Sequence, residues 1–142
     1  MQKYILIYSL ICFSLISCEI KTHNAKKSYG YWEDGNIQKE VEILEGNYWK
    51  SPHWTYEYVV YLKLKPSKEW MNKFSPYCCF EEGKLIEDSV DFDIYDVNSP
   101  DWLPKPVWFH PDKNFVVFGN EFSNRYFWNE KDSLLYIYEI QL

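Results

Sequence analysis

Trp54–Leu64 reads WTYEYVVYLKL, with Trp54, Tyr56, Tyr58, Val60, Leu62 and Leu64 alternating against Thr55, Glu57, Val59, Tyr61 and Lys63. A period of two sustained over this length predicts a long strand, half-buried, with one face on a core. Pro66-Ser67 stops it, and Ser67 is placed to cap a short helix running to Phe74, in which Trp70 and Phe74 lie four apart beside Met71. Ser75-Pro76 ends that helix. A helix this short is unstable alone in water, so it must lean on the sheet.

Outward from this pair, three further stretches read as strands. They are Tyr77–Phe80 turning through Glu81-Glu82-Gly83-Lys84 into Leu85-Ile86, then Ser89–Tyr95, then Phe115–Phe118. At the C-terminal end, Arg125–Asn129, the polar turn Glu130-Lys131-Asp132-Ser133 and Leu134–Leu142 predict a hairpin, with Leu134, Tyr136, Tyr138, Ile140 and Leu142 on one face. Ile37–Leu44 suits strand or helix, and the alternation of Val41 and Ile43 with glutamates favours strand. The sum is an α+β domain: an antiparallel sheet of five or six strands with one short helix, a small all-β barrel being the alternative.

With 142 residues, 46% of them hydrophobic and 25% charged, the chain has room for one domain only. Its 20% aromatic content excludes disorder throughout. Nucleic acid is a poor partner and none is expected: 15 Lys and Arg, Arg125 the only arginine, face 21 Asp and Glu for a net −6, which a phosphate backbone repels on average.

The N-terminus carries an address. Lys3 is the only charge before Glu19, and Tyr4–Ile16 is mostly apolar. That is the length of a signal-peptide core rather than of a membrane-spanning helix, which needs about twenty such residues. Leu15-Ile16-Ser17-Cys18 follows and resembles the lipobox of bacterial lipoproteins. The resemblance covers this segment alone. It implies that residues 1–17 are removed as a signal peptide and that Cys18 is lipidated, holding an exported protein at a membrane of the cell envelope. Several acyl chains hold far more firmly than one. Glu19–Ser28, EIKTHNAKKS, is polar, mixed in charge and without periodicity, so residues 18–28 are expected to be a flexible tether and residues 29–142 the domain. Losing Lys3 makes the mature chain more acidic still, so lipid rather than a basic face is expected to hold it.

Catalytic patterns are scarce. Gly30 and Gly35 have phosphate-loop spacing, but Asn36 and Ile37 stand where Lys and Ser or Thr are needed. No Ser-x-x-Lys pair or Gly-x-Ser-x-Gly elbow occurs. Cys78 and Cys79 are adjacent, and neighbouring Cα atoms about 3.8 Å apart fall below the roughly 4.4 Å floor of ordinary disulfides. On a strand they also point to opposite faces, which makes them poor joint ligands of one zinc. His53 and His110, each beside a proline, lack metal-ligand spacing. The run Glu87, Asp88, Asp91, Asp93, Asp96 breaks the calcium-loop pattern at Tyr95 and Asp96, and alternation with Val90, Phe92 and Ile94 makes it a solvated strand face. No cofactor or metal is expected.

The stretch Asn98–Asn114, NSPDWLPKPVWFHPDKN, is the candidate binding loop: four prolines stiffen a long connection carrying Trp102, Trp108, Phe109 and His110. Rings in a rigid loop serve as protein hot spots or stack on sugars, unless they fold back to plug the sheet. A compact acidic domain, a stiff aromatic loop and an anchor point to a non-enzymatic, lipid-anchored envelope protein that binds another protein, as an inhibitor or immunity protein does. Charge complementarity favours a basic partner. The alternatives are a glycan-binding module stacking sugars on Trp102 and Trp108, and a small hydrolase using His110 with a carboxylate.

Overall fold

The structure, a computed structural model, describes residues 18–52, 56–74, 84–85, 103–119 and 124–141. The expected strands at Tyr77–Phe80 and Ser89–Tyr95 lie outside these residues, as do His53, Trp54, Cys78, Cys79, Trp102, Leu142 and the segment 1–17.

The alternating stretch forms β3, Tyr58–Pro66, and pairs antiparallel with β2, Val41–Lys50, on one side and β7, Leu134–Gln141, on the other. β6, Asn124–Asn129, and β5, Val116–Gly119, continue the sheet beyond β7. Short edges close the set, β1 at Ile20–Thr22 beside β2 and β4 at Lys84–Leu85 beside β5. The order is β1-β2-β3-β7-β6-β5-β4, all antiparallel. Among the described residues two helices complete it: α1, Ala25–Trp32, and α2, Lys68–Phe74. The domain is therefore α+β with an open sheet, and the barrel alternative is overturned because the two edge strands stand at opposite ends of the sheet order.

The central strand is buried on both faces rather than one. Val60, Leu62 and Leu64 join Leu135, Ile137 and Tyr126 beneath the helices, where Tyr29 of α1 and Trp70 and Met71 of α2 complete a core. Val59 and Tyr61 point the other way, into a second cluster with Phe127, Tyr136, Tyr138, Leu103, Phe109 and Phe115. Val59, Val60, Tyr61 and Leu62 have no exposed surface at all. Periodicity alone left Val59 and Tyr61 facing solvent; the loop at 103–115 covers them.

Helix α2 forms as its sequence predicts. Ser67 Oγ accepts the Trp70 N–H at 3.2 Å, and Trp70 stacks on Phe74 with ring centres 4.5 Å apart. The polar turn between β6 and β7 is closed by a reciprocal pair: Asn129 Oδ1 accepts the Asp132 N–H and Asn129 Nδ2 donates to Asp132 Oδ2, both at 3.1 Å.

The flexible tether is overturned. Glu19–Thr22 is docked: the Trp49 indole N–H donates to the Glu19 carboxylate, and Ile20, Lys21 and Thr22 lie opposite Lys50, Trp49 and Tyr48 in the ladder. Asn24 then caps α1, its Oδ1 accepting the Lys27 N–H at 3.0 Å. The helix is held down by Tyr29, fully buried, and by a close crossing at Gly46, where a Cβ would stand 2.9 Å from Ser28 Cβ and 3.1 Å from Ala25 Cα. A strand that offers a glycine under a helix lets the backbones approach, which offsets the polarity of the segment. Among the described residues, a strand thus starts two residues after Cys18.

Candidate functional site

Two surfaces carry the exposed apolar side chains of the described residues, one on each face of the sheet. Four large apolar residues are well exposed: Tyr31, Ile37, Tyr56 and Val107.

Val107 belongs to the proline-rich loop. Leu103, Phe109 and Phe115 of this loop are buried against β3, β6 and β7, and Pro106 and Pro111 are buried with them. Phe109 is 1% exposed and sits edge-on to Tyr61, Tyr136 and Phe127, at 5.2, 5.3 and 5.9 Å between ring centres. Its N–H donates to the Pro106 carbonyl at 2.9 Å, which makes residues 106–109 a tight turn. Val107 and Trp108 occupy the corners. Val107 is 87% exposed, and Trp108 is half-buried, its ring meeting Phe109 edge-on at 5.9 Å. Asp112 braces the return, its Oδ1 accepting the Asn114 N–H at 2.8 Å and its carbonyl accepting the Phe115 N–H at 3.1 Å.

Of the residues singled out from sequence, Phe109 is corrected from contact to root, since a partner cannot reach it. Trp108 and the exposed His110 remain at the surface, and Trp102 lies outside the described residues. Val107 carried no sequence signal beyond its place between Pro106 and Trp108. The His110 imidazole pairs with no carboxylate among the described residues. Among the same residues no group of three or more His, Cys, Asp and Glu converges as a metal site would need, and no helix is long and apolar enough to cross a membrane.

The second surface is an open groove of about 600 Å³ beside α1, walled by Ile20, Tyr31, Ile37, Tyr48 and Tyr56, with Lys26, Lys27 and Lys50 along it and Asp34 the one acid. Its tyrosines form a ladder. Tyr31 stacks on Tyr48 at 5.2 Å, Tyr48 on Tyr58 at 6.0 Å, and Tyr56 meets Tyr58 edge-on at 5.6 Å while Lys50 Nζ lies 4.4 Å over the Tyr56 ring. Beneath the ladder, the Tyr58 and Tyr126 hydroxyls donate to the two oxygens of Glu139, at 2.8 and 2.6 Å. Both oxygens of this buried carboxylate are thus engaged, and it ties β3, β6 and β7 together. At the end of α1, burial holds Glu33 above its ordinary range, Asp34 and Glu139 add to that, and a hydrogen bond from Gln38 opposes it.

Burial also lifts the phenols of Tyr29, Tyr48 and Tyr138 to about 12, and that of Tyr58 further. The folded protein therefore keeps protons that the unfolded chain releases near pH 10. The stabilisation is complete below about pH 10 and is lost as pH rises through 10 towards 12. Urea midpoints are expected to fall steeply over that window, with phenolate absorbance rising together with unfolding. A midpoint that holds steady up to about pH 12 would contradict the burial of these rings.

Comparison of the chain with protein-family models, with curated proteins and with solved structures finds no match in any of the three. The functional reading therefore stands on the site itself.

Proposed function

We propose that this is a lipid-anchored protein of the bacterial cell envelope, exported by its first 17 residues and held at Cys18, whose domain captures another protein without catalysing a reaction, in the manner of an inhibitor or immunity protein. The observation that carries the binding role is the knuckle at Val107. A large apolar side chain lies almost wholly in water at the corner of a turn whose next residue but one, Phe109, is sunk under three aromatic rings. Pre-ordering the turn removes the entropy that a mobile loop would lose on binding, so an apolar side chain held out on it is a low-cost contact for a partner. Trp108, half-buried beside it, has the character of a hot-spot residue.

Protein is favoured over glycan by the same geometry. Sugar stacking needs an open indole face, whereas Trp108 packs against the second cluster and its neighbour Phe109 is covered. The acidity of the chain, net −6, supports a basic partner. The test is capture by the immobilised mature protein from envelope and secreted proteins of the source organism, with polymeric glycans in parallel. The expected result is one stoichiometric protein whose association slows as salt is raised. Capture of glycan alone would overturn the reading, and association insensitive to salt would overturn the basic partner.

A further inference from the structure

We infer that the tyrosine-and-lysine groove beside α1 is the face the domain presents to the membrane, and that its ligand is the headgroup layer of an anionic phospholipid bilayer. This rests on the proposed lipidation of Cys18 for its orientation, but not for its chemistry.

The length of chain between anchor and sheet sets the first constraint. Cys18 is exposed, Glu19 is held by Trp49, and β1 begins at Ile20, which itself walls the groove. One extended residue spans at most about 3.6 Å. Acyl chains on Cys18 therefore bring the bilayer surface to within a few ångströms of Ile20, and the domain lies flush rather than swinging on a leash. The surface next to Ile20 has to meet headgroups.

The composition of that surface fits them. Three of the four well-exposed large apolar residues among those described, Tyr31, Ile37 and Tyr56, belong to this groove and are 42%, 53% and 51% exposed. Tyrosine is the side chain that settles at the boundary between water and hydrocarbon, its ring apolar and its hydroxyl wet. Charge agrees too: a chain of net −6 gathers Lys26, Lys27 and Lys50 here against Asp34 alone. Lys26 and Lys27 form no ion pair among the described residues, so their charges are available to lipid phosphate. The expectation that lipid alone, with no basic face, holds this acidic domain is thereby revised: the charge is unevenly distributed, and its positive part lies beside the anchor. The knuckle at Val107, by contrast, stands on the loop that covers the opposite face of the sheet.

The test uses residues 18–142 with Cys18→Ser, which contains every described element and has no acyl chain, in flotation with vesicles of phosphatidylcholine alone or mixed with phosphatidylglycerol. Binding is expected to the mixed vesicles only, and to weaken with salt. Replacing Lys26, Lys27 and Lys50 by glutamine should reduce it about fivefold per lysine, while Lys105→Gln with Lys113→Gln, in the loop on the other face, should leave it unchanged. Unchanged near-UV circular dichroism shows that the variants are folded. Absence of binding, equal binding to both vesicles, or equal loss in the two sets of variants would overturn the proposal. The anchor is read separately, from the mass of the native protein extracted from its membrane: a protein without acyl mass would refute lipidation and leave the vesicle result standing.

Discussion

Phe109→Ala is expected to lower the unfolding free energy by about 3–5 kcal/mol, much of the total that a domain of this size possesses. The ring is 1% exposed and meets Tyr61, Phe127 and Tyr136 edge-on, so truncation leaves a cavity whose walls are large, rigid rings unable to close over it. Each lost aromatic pair adds about 0.5–1.5 kcal/mol to the area term. Phe109→Leu should recover roughly half of the loss by refilling volume without the edge-on geometry. Trp108→Ala, at a half-buried site, should cost no more than about 1 kcal/mol. Urea denaturation of the three variants checks the order. A loss below about 1 kcal/mol at Phe109 would mean that the loop does not cover the sheet, and the rigid display of Val107 would go with it.

The second large effect is at Gly119, the last residue of β5. Its φ is +114°, and a Cβ there would lie 2.0 Å from the Asn124 carbonyl oxygen, 2.9 Å from the same carbonyl carbon and 3.2 Å from Arg125 Cα. All three atoms are backbone of β6 and cannot rotate aside. Gly119→Ala therefore separates the ends of β5 and β6 or forces φ out of a region that side chains avoid. The expected loss is at least about 4 kcal/mol, with faster amide exchange in Val116–Gly119 and Asn124–Asn129 than in β2 and β3. Gly35→Ala is the comparison: its φ is also positive, at +86°, but nothing lies within 4 Å of the added Cβ, so the cost should stay near the conformational term of about 1 kcal/mol. Equal melting temperatures for Gly119→Ala and the wild type would refute the described pairing.

The fold class and much of the sheet were legible because β3, α2 and the terminal hairpin obey simple local rules. What escaped did so for identifiable reasons. The register of β2 slips between Ile43 and Glu45. Val41 and Ile43 therefore face the helices at odd positions, whereas Tyr48 does so at an even one, and alternation across the whole strand disappears. Helix α1 and strand β1 were hidden by polarity, since their stability comes from Tyr29 in the core, the Gly46 crossing and the ladder to β2, all long-range. The one local signal was Asn24 followed by Tyr29 and Trp32 three apart.

Of the binding loop, position and stiffness were legible, but not which residues are exposed. Phe109 was read as a contact and is buried at the root of the turn, whereas Val107 was not singled out and is the exposed corner. Nothing local distinguishes them, because the choice depends on which ring meets Tyr61 and Tyr136 across the sheet. The groove was invisible for a similar reason: Ile20, Tyr31, Tyr48 and Tyr56 converge only once the segment after Cys18 is docked.

The lysines and exposed tyrosines share the side of α1 with Cys18, and the knuckle stands on the loop across the sheet. On the proposed reading the first side faces the membrane and leaves the second outward for a partner.

The most direct test of that account is calorimetric titration of the captured partner into the wild-type domain and into Val107→Asp. An exposed position tolerates the change, so the melting temperature should not move, while a charge placed at the centre of an apolar contact should weaken binding at least about thirtyfold. Undiminished affinity in a folded Val107→Asp domain would contradict the claim that the knuckle is where the partner binds.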